Sequence, residues 1–586
     1  MKNSVKNILL FILSIIVAYT LSLNINDYTN FNYYFDNSLI PIILAIGTLI
    51  LIKKAWSITD NRLKSIAFTE ALIIAITVVI GNCIHSNLNL SCIIFNNTIR
   101  IKSILYFITT LVISSIIIIN MYTYFNTIKS SKWHFKDSKF TYLIIWLLIF
   151  MMWIPYFLSW YPSVMTPDSI NQFEQAIGIR QLTNNLPIIH TLFIKLCIFI
   201  SAPFGNYTTA AAVYSIIQMS IMSLIFTLTI KWLIKNSINS KIIILAIIFY
   251  ALYPVNAIYG FTMWKDIIYS GLFLIFMLMT YNIIQKKDYL SNTKNFIFFI
   301  LVMVLITLFR NNGLLVLMPV LLILILKLKD IRFILTKSLI ILVSFSLIWY
   351  LSTNYLFKIP TTSAIDAFSV PLQQVARIYV KKNSQLTNYE KQTIQKYLNE
   401  ENEKVIEYYN PRLSDNVKDH FNINAYKEDK LSFIALWLRL IIKYSITGTE
   451  SFLYNNYGYW YPRAQNWVIS YGIIESEQDW QLKNGPVETW LIDTTYINKI
   501  WQSIDNRKIP IIPMFYSIGL MSWLILTMIS YTIYKKEQKI FLSYIPIIIV
   551  FIHCLLSPVW AEFRYYYPIV ICLPVIIAIA TKKHKV

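Results

Sequence analysis

Apolar runs of about 15 to 25 residues recur along this chain, each near the length that a helix needs to cross about 30 Å of hydrocarbon. Hydrophobic residues make up 56% of the 586 positions and charged residues only 14%, which leaves too little polar surface for a soluble multidomain protein. The sequence therefore predicts an all-α polytopic membrane protein whose main solvent is lipid.

The runs predict about fourteen membrane-spanning helices. They are Asn7–Leu23, Leu39–Ile52, Ile66–Cys83, Ser103–Phe125, Phe140–Leu158, Thr208–Lys231, Ile242–Ile258, Ile267–Ile284, Asn295–Phe309, Gly313–Leu328, Ser338–Leu351, Ile511–Tyr534, Ile540–Leu556 and Tyr565–Thr581. The first run lacks a small-residue cleavage site, so it is expected to remain as an uncleaved span.

The net charge of +22 resides mainly in the loops between apolar runs, for example at Lys231, Lys235 and Lys241. The positive-inside rule assigns such loops and both termini to the cytoplasm. The positive charge is then a signal of topology, and no nucleic-acid partner is expected. A multi-pass membrane protein is predicted; the family resemblance described below implies that the membrane is the bacterial plasma membrane.

One further apolar run, Pro187–Pro203, decides the topology. Counting it as a span would place the loop of residues 231–241 outside and invert every later loop, against the positive-inside rule. The sequence therefore predicts that this run is a helix lying in or dipping into the outer membrane interface.

Between Ser352 and Pro510 the hydropathy falls, which predicts an extracytoplasmic, α-rich domain inserted before the last three spans. The resulting segments are 1–139 (additional N-terminal spans), 140–351 (core spans), 352–510 (outer domain) and 511–586 (C-terminal spans). Within the outer domain, Asn388–Tyr408 is expected to be helical, and Leu431–Tyr444 to be an apolar segment resting on the membrane.

Aromatic residues interleaved with Gly, Asn and Pro predict loops in the later outer domain. Their rings could stack on sugars or form the usual aromatic belt of a membrane interface. They are Tyr454, Tyr457, Tyr459, Trp460, Tyr461, Trp467, Tyr471, Trp480 and Trp490.

Cys83 and Cys92 share a predicted outer loop and could pair in an oxidising compartment. No Cys/His cluster has zinc spacing, and no phosphate-binding loop or dinucleotide fingerprint occurs. The sequence therefore predicts neither a metal nor a cofactor.

Ionisable residues from separate segments reach the predicted outer face, where charges near hydrocarbon are costly and usually line a site. They are Asp168, Glu174, His190, Lys265, Asp266, Arg310, Glu562 and Arg564. Arg310 interrupts two apolar runs with almost no loop, and a guanidinium is well shaped to clamp phosphate oxygens.

Structural roles are open for the same residues. Asp168, directly after Pro167, could be a catalytic base or a helix cap. Lys265 and Asp266 could form a surface ion pair with each other, or Lys265 could hold a phosphate. His190 could contact lipid headgroups or a substrate, while Glu562 and Arg564 could anchor the membrane interface.

The order of these features resembles the GT-C superfamily of membrane glycosyltransferases, which includes protein O-mannosyltransferases and aminoarabinose transferases. The span Phe140–Leu158, the acidic Asp168 in the next outer loop, and Asn185-Leu-Pro-Ile-Ile-His190 opening a juxtamembrane helix carry this resemblance. Ser169 stands where the O-mannosyltransferases have a second acid.

A closer resemblance is to an uncharacterised family of bacterial membrane proteins near that superfamily. It rests on Trp160-Tyr-Pro, Pro167-Asp168-Ser169 with Gln172, Lys265-Asp266, Arg310-Asn-Asn-Gly313 and Glu562-Phe-Arg564-Tyr565. It covers the chain from about Phe140 to the C-terminus.

The resemblance implies transfer of a sugar from a polyprenyl phosphate to a cell-envelope glycan, lipid or protein, with inversion at the anomeric carbon. Asp168 would be the general base, and Lys265, Arg310 and Arg564 would hold the lipid phosphate. Further substrate contacts are expected from Gln172, Glu174, His190, Asp266 and Glu562. The alternatives are a transporter or flippase for a lipid-linked or anionic solute and a non-catalytic scaffold.

Overall fold

The computed structural model describes residues 14, 40–87, 90, 97–128, 135–360, 368–398, 405–464, 468, 472–473, 485–489, 491, 512–557 and 559–582. In this part of the chain the regular elements are helices, with only isolated β-bridges between loops. The first predicted span, Asn7–Leu23, lies outside the described residues except for Ser14.

The α-helices before the predicted outer domain are α1 (Ile40–Ser57), α2 (Asn61–Asn87), α3 (Asn97–Thr127), α4 (Lys139–Ser159), α5 (Pro167–Ile177), α6 (Ile188–Ser201), α7 (Tyr207–Lys235), α8 (Ser240–Leu252), α9 (Pro254–Phe261), α10 (Lys265–Gln285), α11 (Thr293–Phe309), α12 (Gly313–Lys327) and α13 (Arg332–Leu351). Those that follow are α14 (Ser369–Lys382), α15 (Asn388–Leu398), α16 (Val405–Tyr408), α17 (Asp415–Asp419), α18 (Ile423–Glu428), α19 (Lys430–Lys443), α20 (Ser445–Asn456), α21 (Ile518–Tyr534), α22 (Gln538–Phe541), α23 (Ile545–Leu555), α24 (Phe563–Val570) and α25 (Leu573–Thr581). Single turns of 3₁₀ or π-helix extend several of them, at Ala202–Phe204, Lys329–Ile331, Ser352–Leu356, Asn383–Gln385, Tyr457–Tyr459, Ile512–Tyr516 and Leu542–Tyr544.

Among the described residues, eight helical stretches are long and apolar enough to cross a membrane, and up to ten if each of two bent helix pairs counts as one span. One of these pairs is α8 and α9, bent by 49°, and the other is α19 with the helical stretch that follows it, bent by 105°. The protein is therefore an α-helical, multi-pass membrane protein by the length and composition of its helices.

Helix α6 is the segment that decides the predicted topology. Its 14 residues give a length of about 21 Å at 1.5 Å per residue, below the roughly 30 Å of a hydrocarbon core. This length agrees with the interfacial helix predicted for Pro187–Pro203, although its position relative to a membrane stays a prediction.

The chain folds into two compact units, each assembled from separate stretches. The first comprises residues 1–129, 370–464 and 519–537, and the second comprises residues 130–369, 465–518 and 538–586. The division into the four consecutive segments 1–139, 140–351, 352–510 and 511–586, which rests on hydropathy, stays a prediction.

In the first unit, part of the predicted outer domain differs from expectation. Asn388–Tyr408 contains the separate helices α15 and α16, with residues 399–404 between them outside the described residues. The loop prediction is wrong for Tyr454, which lies in α20, and for Tyr457 and Tyr459, which form a 3₁₀ turn. All three side chains are fully buried, and the Tyr454 hydroxyl donates to the Ile84 carbonyl at 2.8 Å, so packing overrode the local loop signal.

These buried rings are not available to stack on a sugar. Trp460 and Tyr461 lie in a turn and a loop as predicted, with Trp460 half-buried and Tyr461 buried. The other four candidates, Trp467, Tyr471, Trp480 and Trp490, lie outside the described residues. Cys83 lies in a disulfide, but Cys92 is also outside the described residues, so the pairing of these two cysteines stays a prediction.

In the second unit, α10 is the most enclosed of the long apolar helices, because 89% of its most apolar 18 residues are buried. It packs against α7, α11 and α24. At the start of this helix Asp266 is buried and Lys265 is half-buried.

Candidate functional site

The segment between α4 and α5 delivers Asp168 to the start of α10. Ser163 donates to the Phe261 carbonyl at 2.8 Å, and the Met263 amide donates to the Val164 carbonyl at 2.9 Å. The Ser169 hydroxyl then donates to the Met263 carbonyl at 2.7 Å. These bonds hold the N-terminal ends of α5 and α10 side by side.

Asp168 is the second residue of α5, and the N-cap is Thr166. The Thr166 amide donates to the Ser169 hydroxyl at 3.2 Å, so the cap reading of Asp168 is wrong. Pro167 occupies the first helical position, where its missing N–H costs nothing. The Asp168 carboxylate is therefore free of capping and engages side chains from other helices.

Two cations converge on one oxygen of Asp168. Lys265 Nζ lies 3.2 Å and Arg564 Nη1 lies 3.1 Å from Oδ2. The charge of Lys265, together with that of Arg564 and against the opposing effect of burial, lowers the pKa of Asp168 to about 2. Asp168 is therefore a carboxylate at physiological pH, and its side chain remains 38% exposed.

Asp266 and Arg310 form a second, more enclosed ion pair. Arg310 Nη1 lies 3.3 Å from Asp266 Oδ1, and the Asp266 side chain is only 2% exposed. Because Lys265 pairs with Asp168 and Asp266 pairs with Arg310, the reading of Lys265 and Asp266 as a mutual surface pair is wrong.

Aromatic rings connect the two ion pairs. The Arg310 guanidinium lies 4.9 Å from the Tyr269 ring centroid and 5.2 Å from that of Tyr565. The Arg564 guanidinium lies 5.1 Å from the same Tyr565 ring and 5.3 Å from that of Trp264. Tyr565 thus contacts both guanidiniums. Cation–π attraction to these rings compensates for part of the hydration that the two charges lose on burial.

Glu562 completes the cluster, since its Oε1 lies 3.1 Å from Arg564 Nε and its side chain is 7% exposed. We call the six residues Asp168, Lys265, Asp266, Arg310, Glu562 and Arg564 the charged cluster. Its formal side-chain charges balance, with three cations and three anions.

His190 lies beside this cluster in a buried relay. Its Nδ1 is 2.7 Å from Gln172 Oε1, and its Nε2 is 2.7 Å from the Tyr214 hydroxyl. Tyr214 in turn donates to Gln218 at 2.6 Å. Because His190 is fully buried and both of its ring nitrogens are engaged, it holds α5, α6 and α7 together.

Glu174 lies further along α5 than the other predicted site residues. Its carboxylate forms a close ion pair with Arg180, and its carbonyl accepts from the amides of Ile179 and Arg180. These contacts fasten the turn that follows α5. A substrate contact for Glu174 stays a prediction.

Sequence reasoning missed the aromatic and amide partners in this region, namely Trp264, Tyr269, Tyr565, Tyr214 and Gln218. Helical spacing offered a signal for two of them. Tyr269 follows Asp266 by three residues and Gln218 follows Tyr214 by four, and residues at these spacings share a helix face.

Carboxylates and imidazoles in the described part of the chain do not gather into a metal site, since no group of three or more His, Cys, Asp or Glu could hold an ion there. These carboxylates form ion pairs instead: Asp168 pairs with Lys265 and Arg564, and Asp266 pairs with Arg310.

Fold and site together define a multi-pass helical membrane protein with a cluster of ion pairs assembled from distant segments. The chain belongs to a family described as "Family of unknown function (DUF6020)", which matches residues 176–586. Asp168, a member of the charged cluster, and Gln172 precede the matched region. The other five members of the cluster are Lys265, Asp266, Arg310, Glu562 and Arg564, and they lie within it. No curated protein and no solved structure matches the chain.

Proposed function

We propose that the protein is a membrane glycosyltransferase of GT-C type, which moves a sugar from a polyprenyl-phosphate donor to a cell-envelope acceptor. The observation that carries the proposal is the position of Asp168, whose Oδ2 is held by Lys265 and Arg564 while the side chain stays partly exposed. A fixed carboxylate beside several cations is suited to chemistry that combines a base with an anionic leaving group.

The proposal includes the arrangement expected from the sequence: about fourteen spans, both termini in the cytoplasm of a bacterial cell, and the charged cluster on the outer face of the plasma membrane. On that face a lipid-linked donor would arrive from the bilayer. It would need no soluble nucleotide site.

Asp168 serves as the general base. Both of its ion pairs end on Oδ2, so Oδ1 is the oxygen left to accept a hydrogen bond from an acceptor hydroxyl. The hydroxyl oxygen forms the new bond to the anomeric carbon as its proton passes to Asp168. The bond from that carbon to the phosphate oxygen breaks, and its electron pair leaves with the lipid phosphate.

Lys265 and Arg564 connect the two steps of this reaction, which are proton removal by Asp168 and departure of the lipid phosphate. They lower the pKa of Asp168 in the free protein, which keeps it ionised but weakly basic. When a donor phosphate shares these cations, their hold on Asp168 weakens and its basicity increases. Arg310, with two aromatic rings against its guanidinium, supplies a third cation for phosphate oxygens.

The buried relay has a supporting role in this proposal. His190 and Gln172 position α5, and thereby Asp168, and do not touch the substrate themselves. Asp266 and Glu562 likewise orient Arg310 and Arg564. The cluster thus separates groups that face the substrate from groups that hold them.

The test is transfer by the purified chain in liposomes, with a panel of polyprenyl-phosphate sugars labelled in the sugar and a bacterial cell-envelope extract as acceptor. We expect the label to move to the acceptor with the native chain and not with Asp168→Asn. The absence of transfer from every donor to every extract fraction would contradict the proposal. Movement of intact, labelled lipid across the bilayer would instead favour the transporter or flippase alternative.

A further inference from the structure

A second buried acid lies in the first unit, away from the charged cluster and outside the proposed transfer chemistry. Glu70 is the tenth residue of α2, about 14 Å along a helix that is long and apolar enough to cross a membrane. Glu70 is only 1% exposed to solvent. An ionised carboxylate at such a depth costs several kcal/mol unless a cation accompanies it.

Basic side chains on the surrounding helices point elsewhere. On α2, Arg62 donates to the Ile533 carbonyl at 2.9 Å, Lys64 precedes Glu70 by six residues, and His85 lies 3.4 Å from the Tyr457 hydroxyl. Helix α3 from Ser103 onward and all of α21 contain no Lys, Arg or His.

The other titratable groups nearby also have their own contacts. Asp60 and Tyr534 bond to each other at 2.7 Å, Lys535 pairs with Glu537 at 3.0 Å, and the α1 lysines Lys53 and Lys54 are exposed. No ion pair to Glu70 occurs among the described residues.

Neutral hydroxyls surround Glu70 instead. The Tyr122 hydroxyl of α3 donates to Oε2 at 2.6 Å, and the Thr527 hydroxyl of α21 lies 2.6 Å from Oε1. The Tyr122 ring packs 5.2 Å from the ring of Tyr531, and the Ser530 side chain is a third hydroxyl beside this carboxyl. Glu70 therefore joins three helices of the first unit through polar contacts alone.

The hydrogens in this network can be counted. The Thr527 Oγ1 also lies 2.9 Å from the Trp523 carbonyl oxygen, which can only accept. A hydroxyl has one hydrogen, so when Thr527 donates to Trp523, the hydrogen of the 2.6 Å contact must come from Glu70. With a protonated carboxyl each of these three contacts has its own hydrogen: Tyr122 donates to Glu70, Glu70 donates to Thr527, and Thr527 donates to Trp523.

We propose that Glu70 is a proton-binding site, a neutral carboxylic acid that joins α2, α3 and α21 and takes up its proton from water. The bound proton replaces the missing cation and lets the acid remain inside the apolar unit. Loss of that proton would leave an uncompensated charge among three packed helices. The site is separate from Asp168, which is ionised and paired with two cations.

A hydrophobic carbodiimide tests this proposal, because such reagents enter apolar surroundings and add to protonated carboxyl groups. The acid hydrogen moves to a carbodiimide nitrogen, the carboxyl oxygen bonds to the central carbon, and the adduct rearranges to a stable N-acylurea with nothing lost. With dicyclohexylcarbodiimide at pH 7, peptide mass spectrometry should find Glu70 heavier by one whole reagent molecule. Asp168 in the same sample is the ionised control and should stay unmodified.

A second measurement keeps the proposal testable if packing excludes the reagent. In Glu70→Gln the amide can donate to Thr527 and accept from Tyr122, so it reproduces the protonated acid. We expect this variant to keep its melting temperature within about 2 °C, whereas Glu70→Ala should lose more than about 4 °C. Equal losses in both variants, or labelling of Glu70 that is as strong with a water-soluble carbodiimide, would overturn the proposal.

Discussion

Asp168 and Arg564 are separated by 396 positions in the chain, yet their side chains meet at 3.1 Å. The pair joins the start of α5 to the start of α24, and Lys265 adds the start of α10 to the same carboxylate oxygen. A single acidic side chain therefore ties together three helices that the sequence separates widely.

Asp168→Asn should abolish transfer while leaving the fold intact. The amide keeps the shape of the side chain but cannot accept a proton, so we expect sugar transfer to fall by at least about 100-fold. The matched control is Asp330→Asn, which breaks the exposed ion pair with Lys287 and should leave transfer unchanged. Full transferase activity in Asp168→Asn would exclude this residue as the base.

The low pKa of Asp168 predicts a flat pH dependence. A carboxyl whose folded-state pKa is about 2, below its ordinary value near 3.9, stabilises the fold at higher pH and loses this contribution only as pH falls toward 2. The difference in melting temperature between the native chain and Asp168→Asn should therefore stay constant from about pH 5 to 8. Lys265→Met removes the main cause of the lowered pKa, so its stability loss should begin at a higher pH. A steady change in that difference across neutral pH would contradict the ionised state of Asp168.

Arg310→Ala should harm both the fold and the site. The substitution leaves Asp266 as a buried, unpaired charge, and breaking such a pair typically costs about 3 to 5 kcal/mol. The double variant Arg310→Ala with Asp266→Asn removes the stranded charge, so its melting temperature should recover toward that of the native chain.

Donor binding is then measured in that double variant, where folding no longer obscures it. We expect the KM for a polyprenyl-phosphate sugar to rise by about tenfold or more, because one charge-assisted phosphate contact is absent. Asp266→Asn alone and Arg332→Ala, at an exposed arginine, serve as controls. An unchanged KM would remove Arg310 from the donor site.

His190→Ala should destabilise the second unit and slow transfer. It removes the partner of the buried Gln172 Oε1 and one of the two hydrogen-bond partners of the Tyr214 hydroxyl, at a cost of about 1 to 3 kcal/mol for each. Because these bonds position α5, kcat should fall more than the KM for the donor rises. His420→Ala, at an exposed histidine of the first unit, is the control for thermal unfolding. A larger effect on donor KM than on kcat would indicate direct substrate contact.

The predicted topology can be tested with cysteine labelling of intact cells. Lys241 and Lys381 are both exposed, and the sequence places the first inside the cell and the second outside. A membrane-impermeant thiol reagent should label Lys381→Cys directly and Lys241→Cys only after permeabilisation, with the parent chain as the control for native cysteines. Labelling of Lys241→Cys from outside would show that α6 crosses the membrane.

Hydropathy located the long helices well because the apolar composition of a span is a property of the local sequence. Each of the eight described stretches that are long and apolar enough to cross a membrane coincides with a predicted apolar run, although the ends differ by several residues, as for Ile66–Cys83 within α2. The break between α8 and α9 was missed, since the Pro254 that begins α9 lies inside an otherwise continuous apolar run.

The members of the charged cluster could be named from the sequence, but their pairing could not. Charges between apolar runs are visible in one dimension, whereas the choice of Asp168 over Asp266 as the partner of Lys265 depends on how α5 and α10 are held together. The same limit applies to Tyr565. Its importance comes from contacting both Arg310 and Arg564, which are far apart in the sequence.

The meeting of helix starts at the charged cluster has an electrostatic consequence. Side-chain charges there cancel, but α5, α10 and α24 all begin at the cluster, and each helix N-terminus contributes roughly half a positive charge through its unpaired amides. The C-terminus of α11, directly before Arg310, contributes the opposite sign and offsets part of this charge, so the backbone dipoles leave a smaller positive potential where the formal charges sum to zero. An anion approaching this region is attracted by the peptide groups themselves, so neutralising any one side chain would weaken that attraction without removing it.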